Sequence, residues 1–236
     1  MMMPFLSVAM ALRPRTTGIP PQAPFPLADE LDCTQATRRL VRALAGFDVV
    51  IVPGLDGSLS HHWQSRWEHV LRLHGIGVHR VRQRNWARPT YRMWADTLRL
   101  TLGRTGPRPA IVVAHSLGAA LSVRMAAEEG LGNVAGIFLV ALADVASYRG
   151  AEQARVAEFA ALPTGALPLP AMLVASRNDE WLAMSRARSL SATWHATLRD
   201  AGRAGHIGNY APIGAWPDGM DMLADFAASL PHTTRS

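Results

Sequence analysis

Short apolar runs recur along the chain at residues 48–53, 78–82, 110–115, 134–142, 170–176 and 194–198, most of them bounded by turn-forming residues. Each predicts a strand, and runs that are apolar at successive positions predict strands buried on both faces. Between them the period changes. Trp63, Trp67, Val70 and Leu71 recur at helical spacing, as do Tyr91, Trp94, Leu98 and Leu102, so each set forms the apolar stripe of a helix. Strand and helix in alternation predict an α/β fold whose mostly parallel sheet carries helices on both faces. The tryptophans sit on the helical stripes and read as core or rim packing.

Residues 1–46 stand outside this alternation. The stretch Met1 to Leu12 is apolar, but Arg13 and Arg15 follow it, the reverse of a secretory signal's charge order, and it is too short to span a bilayer. Pro20, Pro21, Pro24 and Pro26 then mark a linker, and Ala28 to Leu44 has the pattern of an amphipathic helix. The expected organisation is an N-terminal extension over 1–46, partly disordered with one helix, and a single domain over 47–236. With 236 residues, 49% of them hydrophobic, the chain can bury a full core in that one domain. Cys33 is the single cysteine, which excludes an internal disulfide; with no export signal, the expectation is a cytoplasmic protein without a membrane partner.

Charge adds little. The formal net charge is +6 and every one of the 24 basic residues is arginine, a bias attributed to genome composition. The segment His79 to Arg88 is arginine-rich, but Arg80, Arg82 and Arg84 alternate as the polar edge of a strand does, so no nucleic-acid partner is expected. His61 and His62 are adjacent and lack carboxylate or cysteine partners at ligand spacing, and no glycine-rich phosphate signature is present. Neither a metal nor a cofactor is expected.

The chemistry concentrates at Ser116. The strand ending in Ala114-His115 breaks on this serine, and Leu117-Gly118-Ala119-Ala120 begins a helix of small residues. A serine on such a sharp strand-to-helix turn is exposed for nucleophilic attack, and its flanking residues must be small for the turn to close. The first flanking glycine of the usual Gly-x-Ser-x-Gly pattern is Ala114 here. The competing role for Ser116 is an ordinary helix N-cap. Asp179 follows the strand near 170–176, and His206 lies between Gly205 and Ile207 in a loop after the strand assigned to 194–198. The order Ser, Asp, His, each just past a strand, suits a triad in which His206 is the base and Asp179 orients it. Asp144, after the run 134–142, is the rival acid. Two backbone amides suit an oxyanion hole: that of Leu117, next after the serine, and that of Leu55 in the loop Pro53 to Gly57.

Taken together, Pro53-Gly54, His62-Trp63-Gln64-Ser65-Arg66-Trp67-Glu68, Asn85-Trp86, Ala114 to Gly118, Ser176-Arg177-Asn178-Asp179, Gly205-His206-Ile207 and Trp216-Pro217-Asp218-Gly219 resemble the small serine hydrolases of the RBBP9/YdeN group. The likeness spans about residues 47–230. It implies an α/β-hydrolase fold with little or no lid, Ser116 as nucleophile, Asp179 as acid and His206 as base. Three positions depart from the group's pattern: Asn85, Glu180 and the segment 208–214, all expected at the pocket rim. The expected activity is cleavage of a carboxylic ester, thioester or amide of a small acyl substrate through an acyl-enzyme. The alternative is a catalytically idle member that uses the same fold for binding.

Overall fold

A computed structural model describes residues 35–231, so the leader, the proline-rich stretch and the first part of the helix expected over 28–44 lie outside the described residues. The elements run α1 (Gln35–Ala43), β1 (Asp48–Val52), α2 (Trp63–Leu73), β2 (Val78–Arg80), α3 (Tyr91–Leu102), β3 (Ala110–His115), α4 (Leu117–Glu128) and β4 (Val134–Val140). A short helix α5 (Gln153–Val156), a 3-10 turn (Ala157–Phe159), β5 (Ala171–Ala175), α6 (Met184–Trp194), β6 (Thr197–Asp200) and α7 (Pro217–Ser229) complete the described chain.

The strands form one sheet in the order β2-β1-β3-β4-β5-β6, with every neighbouring pair parallel. Alternation along each strand sorts its side chains between two cores. Val50, Val52, Val112, Ala114, Ile137, Leu139, Leu173 and Ala175 face the layer of α3, α4 and α6. Val49, Ile51, Ile111, Val113, Phe138, Val140, Met172 and Val174 face α1, α2 and α7. Burial on both faces explains why the central strands read as unbroken apolar runs, and each fully buried Val, Leu or Ile contributes about 1.5–3 kcal/mol.

Helix α1 is tied to the body. Leu40 and Leu44 are buried in the same cluster as Trp63, Trp67 and Phe226. On the outer side Arg39 pairs with Asp221 (2.9 Å) and Asp225 of α7. The excursion after β4 packs down as well: Val156 and Phe159 are buried, with Phe159 edge-on to Trp94 at 5.3 Å and to Tyr91 at 6.0 Å. This packing matches the expectation of little lid.

Two strands differ from their predicted extents. The run at 78–82 forms a strand only to Arg80, whose side chain is largely buried against Glu68; only Arg82 and Arg84 project to solvent, so the three do not form one polar edge. The strand expected at 194–198 lies at Thr197–Asp200. Trp194 instead closes helix α6, buried, with its indole N–H donating to the Pro163 carbonyl at 2.9 Å. His195 takes the left-handed conformation (φ 55°) that ends the helix. The apolar tryptophan thus serves the helix's buried stripe, and the true strand is a largely exposed edge without an apolar signature.

Candidate active site

Strand β3 delivers Ser116 to the carboxyl edge of the sheet. Ser116 has φ 54° and ψ −122°, a conformation that a non-glycine residue adopts only when its surroundings impose it. The surroundings are specific. Its N–H donates to the Val140 carbonyl at 3.0 Å, and its carbonyl accepts from Ala143 at 3.2 Å, which stitches the turn to the end of β4. A Cβ at Gly118 would fall 2.4 Å from the Pro53 carbonyl oxygen, and one at Gly54 would fall 2.6 Å from the Ser116 Cβ. The turn and the β1 loop therefore touch backbone to backbone, a closeness only glycine permits. Ser116 stands before α4 but its side chain makes no capping bond, so the N-cap role is not the one it takes.

Its hydroxyl points to His206 instead. Ser116 Oγ lies 2.7 Å from His206 Nε2, and His206 Nδ1 lies 2.8 Å from Asp179 Oδ1. A carboxylate only accepts, so Nδ1 carries the proton and Nε2 is left to accept from the serine. Asp179 follows β5 in a tight loop and its side chain is fully buried. The same Oδ1 also accepts from the Trp181 N–H at 2.9 Å. Trp181 lies over the pair as an aromatic cover, its ring 5.7 Å from that of His206 and stacked on Tyr148 at 3.5 Å.

The rival acid takes no part in this arrangement. Asp144 is buried at the end of β4 and pairs with Arg186 of α6 at 3.1 Å. Its backbone carbonyl accepts from Ser147 and Tyr148, both at 3.0 Å, and its N–H donates to the Trp181 carbonyl at 3.2 Å. It organises the turn that carries Tyr148 against Trp181.

Leu55 lies in the β1 loop closed by the Gly57 N–H to Gly54 carbonyl bond at 3.1 Å, and lines the same cleft as Ser116. The Leu117 amide is the first of helix α4, a position with no partner inside the helix, and the dipole there favours developing negative charge. The cleft has a volume of about 610 Å³. Of the three departures expected at its rim, Glu180 and the segment from Gly208 line it, whereas Asn85 is not among its lining residues. Glu180 is exposed at the cleft, and Asn85 caps its own turn by accepting from the Arg88 N–H at 3.0 Å. Asn209, in the 208–214 segment, straps across to the β1 loop: it accepts from the Leu59 N–H at 2.9 Å and from His61 Nε2 at 2.9 Å. Tyr210 next to it is 95% exposed.

Two buried histidines line the floor. His62 accepts from the Gln64 N–H at 3.1 Å through Nδ1, and its Nε2 has no partner among the described residues. Burial, with Arg80, His61 and His206 adding like charge, lowers its pKa to about 3. His115 is held well below the usual histidine range by burial first, then by His62 and His206. Sequence reasoning assigned no site role to His62, Trp181 or Tyr148. Only the position of Trp181, two residues after Asp179, could have drawn attention to any of them. Among the described residues, no group of three or more His, Cys, Asp or Glu side chains could hold a metal ion. None of the described helices is long and apolar enough to cross a membrane.

A parallel sheet in this order, with a serine at positive φ between the third strand and its following helix, is an α/β-hydrolase architecture. The serine hydrolase family matches residues 49–225, and the chain belongs to that family. It is similar to a putative YdeN-like hydrolase from Pectobacterium atrosepticum, at 30% identity over 82% of this chain and 97% of the other, with a TM-score of 0.69. The ydeN gene product of B. subtilis shares the fold at 24% identity, covering 76% and 98% of the two chains, with a TM-score of 0.63. RedJ, a thioesterase of the prodiginine biosynthetic pathway in Streptomyces coelicolor, shares it at 15% identity over 77% and 90%, with a TM-score of 0.55. No significant match is found among curated protein sequences. The protein is a serine hydrolase of YdeN type.

Proposed function

We propose that the protein hydrolyses carboxylic esters of small or medium acyl groups through an acyl-enzyme. Ser116 Oγ attacks the carbonyl carbon while its proton passes to His206 Nε2, and Asp179 stabilises the imidazolium that forms. The Leu55 and Leu117 amides donate to the oxyanion. Collapse of the tetrahedral intermediate expels the alcohol, which takes the proton from His206. Water, deprotonated by the same nitrogen, then releases the acid and restores the serine.

The observation that carries this reading is His206 bridging Ser116 at 2.7 Å and Asp179 at 2.8 Å. The open cleft of about 610 Å³ supports a small-molecule substrate. Thioesters stand next, in keeping with the thioesterase among the structural neighbours, and amides behind them. The hydrolase domain is taken as 47–236, with helix α1 of the extension docked on it, and the single Cys33 accords with a cytoplasmic location.

A fluorophosphonate probe tests the nucleophile. The wild-type protein should label and hydrolyse p-nitrophenyl esters of graded chain length, and Ser116→Ala should lose labelling and at least about 10⁴-fold in kcat. An unlabelled wild type, or a Ser116→Ala variant that labels as strongly, would leave the idle binding module as the better reading.

A further inference from the structure

The loop that carries His206 bends through two left-handed residues, of which Ile207 is strained and Gly205 is not. Gly205 has φ 59° and Ile207 φ 50°, the latter a conformation that a β-branched side chain resists. Such a backbone persists only if other groups hold it, and four side chains from elsewhere in the fold do so. Ser176 Oγ accepts from the Ala204 N–H at 2.9 Å, and Asn178 Oδ1 accepts from the Gly205 N–H at 2.9 Å. Trp63 Nε1 donates to the Ile207 carbonyl at 2.9 Å. The fourth is His115, whose Nε2 lies 2.9 Å from the carbonyl oxygen of His206 itself.

His115 differs from the other three because it is covalently joined to Ser116. From the elbow it reaches back to the residue whose imidazole meets the serine hydroxyl. We propose that His115 is a positioning residue, fixing the distance between Ser116 and His206 by donating a hydrogen bond from Nε2 to the His206 main-chain carbonyl. The inference rests on the reading of Ser116 and His206 as nucleophile and base.

The donor role follows from the chemistry of the partner. A carbonyl oxygen only accepts, so Nε2 must hold the proton, and in a neutral ring Nδ1 is then bare. The ring is clamped against reorientation: His62 meets it edge-on at 5.0 Å, Trp63 at 6.2 Å, and His206 lies 5.2 Å away. On the loop side, a Cβ at Gly54 would fall 3.2 Å from His115 Nδ1, so that glycine gives the imidazole its room. Burial keeps the ring neutral, and the bond to the His206 carbonyl places its proton on Nε2. Without the bond, the strained loop can relax, and a displacement of about 1 Å at a reacting group suffices for a loss of about 10²-fold.

Three variants of the full chain separate this role from packing. The side-chain nitrogen of Gln sits near the place of the imidazole Nε2, that of Asn near Nδ1, and Leu has neither. Activity is read per active site, titrated with a fluorophosphonate, on p-nitrophenyl butyrate. His115→Leu and His115→Asn should lose about 10–100-fold in kcat with KM changed less than about twofold, and His115→Gln should recover to within about fivefold of wild type. Equal losses in all three, or wild-type kcat in His115→Leu, overturn the proposal. Imidazole ¹⁵N NMR on the unmodified protein gives a readout that needs no variant to fold: Nε2 should carry the proton from pH 6 to 8, and a proton found on Nδ1 rules the donor out. If Ser116→Ala retains activity, the nucleophile reading itself falls; if it is inert while His115→Leu turns over normally, only the positioning role falls.

Discussion

Two buried aspartates compete in the sequence for one role, and their partners separate them. Asp179 gives one oxygen to His206 and to the Trp181 N–H, whereas Asp144 spends an oxygen on Arg186. Asp179→Asn should therefore lower kcat by about 10³–10⁴-fold with little change in KM, because the amide no longer enforces the tautomer that leaves Nε2 free to accept. Asp144→Asn should keep kcat near wild type and lower unfolding free energy by about 1–3 kcal/mol, as expected when a buried charge-assisted hydrogen bond is weakened. Steady-state kinetics and urea titration of the two variants decide the matter, and the reverse pattern would transfer the acid role to Asp144. Ala114 offers a second check at this scale. It stands where a glycine is usual, yet it is fully buried among Val52, Leu117 and Leu139. Ala114→Gly should leave activity unchanged and destabilise by about 0.5–1 kcal/mol, read by thermal unfolding. The order Ser116, Asp179, His206 was legible because each lies just past a strand end. The partners Ser176, Asn178 and Trp63 were not, since bonds between side chains and distant loop backbone leave no periodic trace.

At the scale of elements, the site gathers the segments that follow β1, β3, β5 and β6, and the β1 loop is pressed against the turn from β3 into α4 at Gly54 and Gly118. The two glycines face different neighbours, so their alanine variants should fail differently. At Gly118 the added methyl meets the carbonyl oxygens of Pro53 at 2.4 Å and Val52 at 2.6 Å, which are backbone and cannot turn aside. Gly118→Ala should prise α4 from β1 and destabilise by about 1–3 kcal/mol. At Gly54 the methyl meets Ser116 Cβ, so Gly54→Ala should displace the reacting groups and lose about 10²-fold in kcat with a smaller change in melting temperature. A Gly54→Ala variant with wild-type kcat would show that the loop yields without disturbing the serine. Element identity was readable wherever burial was two-sided: β1, β3, β4 and β5 lie within about two residues of their apolar runs. It failed at β6, whose exposed edge carries Thr197, Arg199 and Asp200 and offers no apolar run, while the neighbouring Trp194 supplied a misleading one.

Across the whole molecule, the histidines beneath the cleft link the site to stability. His62 and His115 are buried and neutral in the folded protein, the first with its pKa lowered to about 3 and the second well below the usual range. In the unfolded chain both return to about 6.5. Between the folded and unfolded values the unfolded state binds more protons, so stability is fully present above about pH 6.5 and falls as pH drops below it. For a group that stays neutral in the fold, the loss at pH 5 is about 2 kcal/mol, which His62 removes between pH 8 and pH 5, and His115 acts in the same direction. Since single domains are stable by only about 5–15 kcal/mol, this fraction is large. Urea unfolding at the two pH values should show it. His62→Asn keeps a side-chain acceptor for the Gln64 N–H and has nothing to titrate, so its stability should drop by about 2 kcal/mol less than that of wild type over the same interval. An unchanged pH dependence in the variant would mean that His62 protonates without penalty in the folded state, and that the cleft floor admits water.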